Sequence, residues 1–468
     1  TKLFCGCSTK FGAPPNTQTC PVCIGMPGTL PVMNRRAFEL ALRTAAGLNC
    51  TLAEYTKWDR KNYYYPDLPK GYQISQYDLP FSANGWLEIV SPTTGELRKI
   101  GITRAHLEED AGKSLHDEVS GKGDTRVDLN RAGTPLVEIV SEPDMRSSAE
   151  AREYLTELKL LLTYLNVSDC NMQEGSLRVD ANVNLHIETD KGKIATPIVE
   201  IKNMNSFSSV ERALNYEIPR QYAVWQETGK VKGSSPKQTR GWDDINGETY
   251  PQREKEDVSD YRFFPEPDLV PVALTKQEIA DVIAAVGELP SALRRRLEKD
   301  FGLTAYDADV LVNQGQPLVA YFLEAVKSTG DGKLVSNWIQ QDVLKAFKEK
   351  GLTIETYPVS APALSELLGK VKAKEIDTTR GREILAAMVE SGKPLAAVMA
   401  ELGVVKVDES ELIELCRQIV EANPKMAAEI KGGKLQAAGA LVGQAKKKNP
   451  NVNPGRVREI ILELIGTA

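Results

Sequence analysis

Residues 105–114 read AHLEEDAGKS, an imidazole and three consecutive carboxylates ahead of a Gly-Lys-Ser close. The ending matches a phosphate-binding P-loop, but that motif needs a glycine five positions before its second glycine, where the backbone wraps the phosphates. Leu107 stands there instead, and the acids that follow would repel a triphosphate unless a cation intervened. The P-loop reading fails; a metal site and a solvated run of charge both stay open. A further acid, Glu138, lies inside PLVEIV (135–140), flanked by Leu136, Val137, Ile139 and Val140. A buried carboxylate without compensation is costly, so Glu138 is expected to have a basic partner, a metal ion or its own proton. If the strands carrying these two stretches are neighbours, one acid of Glu108, Glu109 and Asp110 meets Glu138 around a single divalent cation. The chain has three histidines, His106, His116 and His186. Oxygen ligands with so few imidazoles favour Mg²⁺, which keeps waters and phosphate oxygens. Lys113 or Lys61 would then neutralise the phosphate.

Residues 5–23, CGCSTKFGAPPNTQTCPVC, place Cys5 and Cys7 in a C-x-C and Cys20 and Cys23 in a C-x-x-C. Two such pairs on turns rich in Gly, Pro and Asn can deliver four thiolates to a structural zinc. Two disulfides are the alternative, although Cys50, Cys170 and Cys416 read as lone thiols, which suits a reducing compartment. SLRVDANVNLHI (176–187) alternates, with Val179, Ala181, Val183, Leu185 and Ile187 on one face and Arg178, Asp180, Asn182, Asn184 and His186 on the other. This is either a half-buried strand with a wet outer face or the floor of a cleft. In the second reading Arg178 and Asn182 join Lys113 as cofactor-binding candidates.

Positive charge gathers near the C-terminus. From Pro424 to Arg458 there are eight Lys or Arg and one acid, Glu429, a local +7 in a chain of net charge −6. Lys434, Lys446, Lys447, Lys448 and Arg456 are candidates for contact with RNA phosphates, against the alternative that lysines simply favour helix C-termini.

The elements that must position these groups follow from periodicity. Asn34 caps an expected helix with Ala37, Leu40, Ala41 and Leu48 at helical spacing, and Ser147 with Glu150 forms a capping box for SSAEAREYLTELKLLLTYL. WLEIV (86–90), RKIGITRAHLE (98–108), TPLVEIV (134–140), SLRVDANVNLHI and TPIVEIKN (196–203) read as strands. The fold expected is α+β: a domain over 1–290 with a large antiparallel sheet and a zinc knuckle at 5–23, an all-α domain over 291–405, and a helical tail over 406–468. Helix starts are expected at Ser360 and at Thr378 or Thr379. At 468 residues the chain has ample core, and no run of about 18 apolar residues reads as a membrane span. No secretory leader is read, and the start at Thr1-Lys2 leads us to expect residues in front.

Several long stretches together carry a resemblance: DRKNYYYPDLPKGYQISQYD, LEEDAGK, VDLNRAGTPLVEIVSEPD, EGSLRVDANVN, EIKNMNSF and DYRFFPEPDLVP. The chain resembles the B subunits of aspartyl/glutamyl-tRNA(Asn/Gln) amidotransferases from residue 2 to the last helix. The resemblance implies a cradle domain, a helical domain and a YqeY-like tail. It implies a carbon–nitrogen ligase in which glutamate or aspartate mischarged on tRNA(Gln) or tRNA(Asn) is activated by ATP as an acyl phosphate and amidated. The ammonia would come from the glutaminase, the A subunit, with the C subunit completing a heterotrimer in the bacterial cytoplasm or an organelle matrix. No G-x-C-x-G element of a cysteine glutaminase is present, in keeping with that division of labour. The family's magnesium ligands fall on Glu109 and Glu138, and Lys61 and Asp180 match positions lining the same cradle. Relatives begin with a strand carrying a Glu-x-His pair that completes the metal site, and this sequence starts after it. KQTR (237–240) and Pro219 are lesser departures. The competing reading is a non-catalytic tRNA-binding scaffold, in which loss of the acids would cost only stability.

Overall fold

A computed structural model describes residues 1–116, 125–190, 192–234, 236–254, 261–404 and 407–466. The side chain of His116 and the expected boundary at 405/406 lie outside them. The chain forms two compact units, Thr1–Ser291 and Ala292–Ala468.

The first unit is mixed α/β. Its helix α1 (Arg35–Gly47) starts where the Asn34 side chain accepts from the backbone N–H of Ala37, and it buries Ala37, Phe38, Ala41, Leu42 and Ala45. The strands that build the site follow as β1 (Thr51–Leu52), β2 (Tyr55–Thr56), β3 (Asp59–Asn62), β4 (Tyr72–Ser75), β5 (Ser82–Val90), β6 (Leu97–Glu109), β7 (Lys113–His116), β8 (Thr125–Asp128) and β9 (Pro135–Ser141). One sheet has the order β1-β5-β6-β9, all antiparallel, with β9 at its edge. Ile89, Ile100, Ile102, Ala105 and Leu107 point from it into the core, where Leu155, Leu158, Leu161 and Leu162 of helix α2 (Ser148–Tyr164) join them. Each buried leucine stabilises the unit by about 1.5–3 kcal/mol relative to leaving it in water. Only half of the expected capping box forms: Ser147 accepts from Glu150 N–H, while the Glu150 carboxylate turns to Arg146 N–H, Ser91 and Arg98.

The single large antiparallel sheet expected from the sequence is instead several smaller ones. A second four-stranded sheet runs β10-β13-β14-β15, from strands β10 (Ala181–Val183), β13 (Val199–Lys202), β14 (Gln238–Asp243) and β15 (Glu248–Glu254), and its β13–β14 pair is parallel. The SLRVDANVNLHI run is broken because Thr196 captures it: its hydroxyl accepts from Leu185 N–H and its carbonyl accepts from the Asn184 amide. Beyond the break β11 (His186–Thr189) forms a separate hairpin with β12 (Gly192–Ala195). The short strands β16 (Phe264–Pro265) and β17 (Val272–Ala273) pair with β3 and β2.

The second unit has only helices among its described residues. The helix Ala361–Lys372 starts at Ser360 as expected, whereas Thr378–Ser391 is capped by Asp377, one residue before the expected start. Leu412, Cys416, Ile419, Leu441, Val457 and Ile461 form a hydrophobic cluster of their own within 412–465. No described helix is long and apolar enough to cross a membrane.

Candidate active site and metal centres

Strand geometry decides which acids meet. In β6 successive side chains alternate between faces, so His106 and Glu108 share one face while Leu107 and Glu109 take the other. The antiparallel register sets His106 directly opposite Glu138 of β9 and Glu109 opposite Pro135. His106 Nε2 lies 3.2 Å from a Glu108 carboxylate oxygen and 3.8 Å from Glu138 Oε2. These three residues offer ligand atoms within 4.8 Å of one another. Glu109 and Glu138, expected to share a cation, therefore lie on opposite faces of the sheet. Glu108 takes the place assigned to Glu109.

Glu109 instead points beneath the cysteine-bearing loop. Its carboxylate pairs with the Lys70 ammonium and accepts from Ile74 N–H at 2.9 Å, and both side chains of the pair are buried. Glu138 is not buried as its apolar neighbours suggested: its side chain is 45 % exposed, because β9 is an edge strand whose outer face is open. Val137 and Ile139 alone of that stretch pack against the core.

Glu108 is held from several sides. Ser75 Oγ donates to one oxygen and Gln73 Nε2 to the other at 2.8 Å, with Gln73 itself fixed by the Tyr63 hydroxyl. Lys61 Nζ, from β3, stands 3.6 Å away and 5.3 Å from the Tyr261 ring. Burial alone would favour the neutral acid, but the hydrogen bond with His106 and the Lys61 charge win, and the Glu108 carboxyl is held down to about 2. Burial likewise opposes the Lys61 charge, and Glu108 and Glu138 outweigh it, so its pKa rises. The outcome is an anionic pair with a fixed cation at its rim and an imidazole between. His106 Nδ1 is buried without a hydrogen-bond partner among the described residues.

The four thiols of Cys5, Cys7, Cys20 and Cys23 also converge within 4.8 Å, and none forms a disulfide. The Cys20 backbone N–H donates to Cys23 Sγ at 3.1 Å, and the Cys23 thiol donates to the Cys20 carbonyl at 3.4 Å. Burial pushes the Cys5 thiol up to about 12. Against the same effect, N–H groups of Cys23 and Val22 and the neighbouring thiols pull Cys20 down to about 7. Four sulfurs this close together match the donor set of a tetrahedral metal centre with no open position.

The model of the GatB/GatE catalytic domain matches residues 1–280, and that of the GatB domain matches 320–465. The B subunit of an aspartyl/glutamyl-tRNA(Asn/Gln) amidotransferase from Rhodopirellula baltica is 54% identical over 465 residues, covering 99% of this chain and 94% of the relative. Proteins of the same description from Caldanaerobacter subterraneus and Moorella thermoacetica are 44% and 46% identical, at 99% of this chain and 95% and 96% of theirs. The chain belongs to the family of amidotransferase B subunits.

Arg178 donates to Asp110 at 2.6 Å, so it docks on the end of β6 instead of presenting a free guanidinium. Asp180 pairs with Lys202, and Asn182 lies exposed on β10 opposite Glu200. Lys113 is exposed at the start of β7, across from Asp128. In the second unit Lys446 reaches Asp377 at 3.4 Å, and Lys434 lies 3.7 Å from Glu429. Arg456 is engaged by Glu409, Glu459 and Glu463. Lys447 and Lys448 close their helix as exposed groups with no ion pair among the described residues. Glu108 is one of the three acids expected opposite Glu138; His106 beside it, and Lys70 as the buried partner of Glu109, are not anticipated by the sequence. Alternation was the available signal, since Leu107 belongs to the core and Glu109 must share its face.

Proposed function

We propose that the chain is the ATP-dependent amidating subunit of a tRNA-dependent amidotransferase. It converts the side-chain carboxylate of Glu-tRNA(Gln) or Asp-tRNA(Asn) to an acyl phosphate, then to the amide. Ammonia comes from a glutaminase, the A subunit of the same assembly, which a C subunit completes. The observation that carries this reading is the meeting of Glu108 and Glu138 beside Lys61 on one sheet face. Glu108 and Glu138 are suited to hold Mg²⁺, with His106 orienting Glu108, and the ion when bound would offset charge between ATP and the acceptor carboxylate. Lys61 contributes a fixed positive charge where phosphate oxygens arrive, and Ser75, Gln73 and Tyr63 keep the acid from rotating away. Carboxylates are poor acceptors of amines because hydroxide is a poor leaving group, and phosphorylation supplies a better one. Cys5, Cys7, Cys20 and Cys23 are suited to structural zinc. The 1–290 region is then the catalytic cradle, and 406–468 a tRNA-contacting tail.

The test is ADP release by the assembled enzyme. It is expected to require tRNA carrying glutamate or aspartate, and to proceed without ammonia; ADP release indifferent to the aminoacyl group would overturn the reading. For the tail, only Lys447 and Lys448 of the candidates are uncommitted. Replacing both by alanine is expected to weaken tRNA binding across sequences and to lower the slope of log affinity against log salt by about 1.5. An unchanged slope in filter binding between low and moderate salt would remove them from the interface.

A further inference from the structure

Lys2 has no exposed surface at all. Its ammonium donates to Cys23 Sγ at 3.4 Å and to the Leu129 carbonyl at 3.3 Å, and no carboxylate pairs with it among the described residues. The backbone fixes it in place: Lys2 N–H donates to Cys7 C=O at 3.0 Å, and Leu3 N–H to Gly133 C=O at 2.8 Å. Gly133 takes φ +81°, a conformation in which a side chain is strained, and a Cβ there would rest in ordinary contact with Cys23 Cβ at 3.4 Å and Lys2 Cδ at 3.6 Å. The loop bearing Leu129 already clasps the cysteine segment, since Asn130 accepts from Gln18 N–H and its amide donates to Pro14 C=O.

An ammonium withdrawn from water is costly unless acceptors and negative charge replace the solvent. One carbonyl and a neutral thiol supply acceptors but no charge. Four thiolates around a divalent ion supply both, because the ion leaves the cluster net negative. Tying residue 2 to the 129 loop would be served as well by an apolar side chain, at lower cost. We propose that Lys2 is an outer-sphere partner of the four-cysteine centre, donating an N–H···S hydrogen bond to Cys23 and offsetting the negative charge of the loaded cluster. This rests on the reading of that cluster as a metal centre. The role is one of positioning: Lys2 holds a ligand sulfur and slows loss of the ion.

The experiment follows zinc release from the full-length chain to a colorimetric chelator. Lys2→Met, which keeps length and apolar bulk, is expected to release zinc about ten- to a hundred-fold faster, the usual effect of losing an outer-shell partner. Lys2→Gln, which keeps an N–H donor, should fall between. Release at the wild-type rate from Lys2→Met overturns the proposal. Should Lys2→Met not fold, the wild type decides by acylation of Lys2 read by mass spectrometry. The amine is expected to be protected with zinc bound and labelled after chelation, at unchanged circular dichroism. Protection in both states, or labelling in both, overturns it. Elemental analysis of freshly purified wild type separates the two failures: without stoichiometric metal, the metal reading falls and takes Lys2 with it, whereas full metal with an unaltered Lys2→Met rate sinks the Lys2 role alone.

Discussion

Glu108→Gln is expected to lower ATP-dependent amidation by the assembled enzyme about 10²- to 10³-fold, while glutamine hydrolysis by its partner continues. The substitution keeps volume and most hydrogen bonds of a side chain with almost no exposed surface, but removes the charge that faces Lys61 and Glu138. Groups aimed at developing charge in a closed site typically carry that much of the barrier. Glu138→Gln should act in the same direction, and neither change should shift the melting temperature as far as it shifts activity. Amidation retained at wild-type rate in Glu108→Gln would leave this cluster a structural ion pair and favour the scaffold reading.

Glu109→Gln, one residue further on, should give the opposite pattern. Its partner Lys70 and Glu109 itself have side chains 8% and 2% exposed, so removing the anion strands an ammonium in the interior. Breaking a buried pair by deleting one partner costs about 3–5 kcal/mol, whereas replacing both partners by apolar groups recovers most of that. Urea unfolding of Glu109→Gln should show the loss, and Lys70→Met combined with Glu109→Leu should restore it. At temperatures where the variant is folded, amidation should stay within a few-fold of wild type. A collapse of amidation without loss of stability would return Glu109 to the catalytic cluster.

Neighbouring acids with opposite fates show how much of the site the residues announced. The strands bearing LEED and PLVEIV were legible from alternation, and so was the chance that they pair. Which acid of the triplet faces Glu138 is also written there, in the apolar Leu107 between His106 and Glu108, which turns both of its neighbours to the other face. The four cysteines were legible because their spacing is a local constraint, and they meet as expected. Other features depended on contacts between distant segments. Nothing near Glu138 tells that its strand ends a sheet and leaves its side chain half in water. Nothing in SLRVDANVNLHI tells that a threonine near residue 196 will interrupt it. Lys2 reads as an ordinary surface lysine until the 129–133 turn closes over it.

The register of β6 against β9 shifts between Ile102 and Arg104. Before that point even-numbered residues, Ile100 and Ile102, fill the core; after it odd-numbered ones, Ala105 and Leu107, do so. One strand thus changes parity midway, and the change is what delivers an imidazole and a carboxylate to the chemical side. Straightening the strand without removing a residue would turn His106 and Glu108 inward and push Ala105 and Leu107 out.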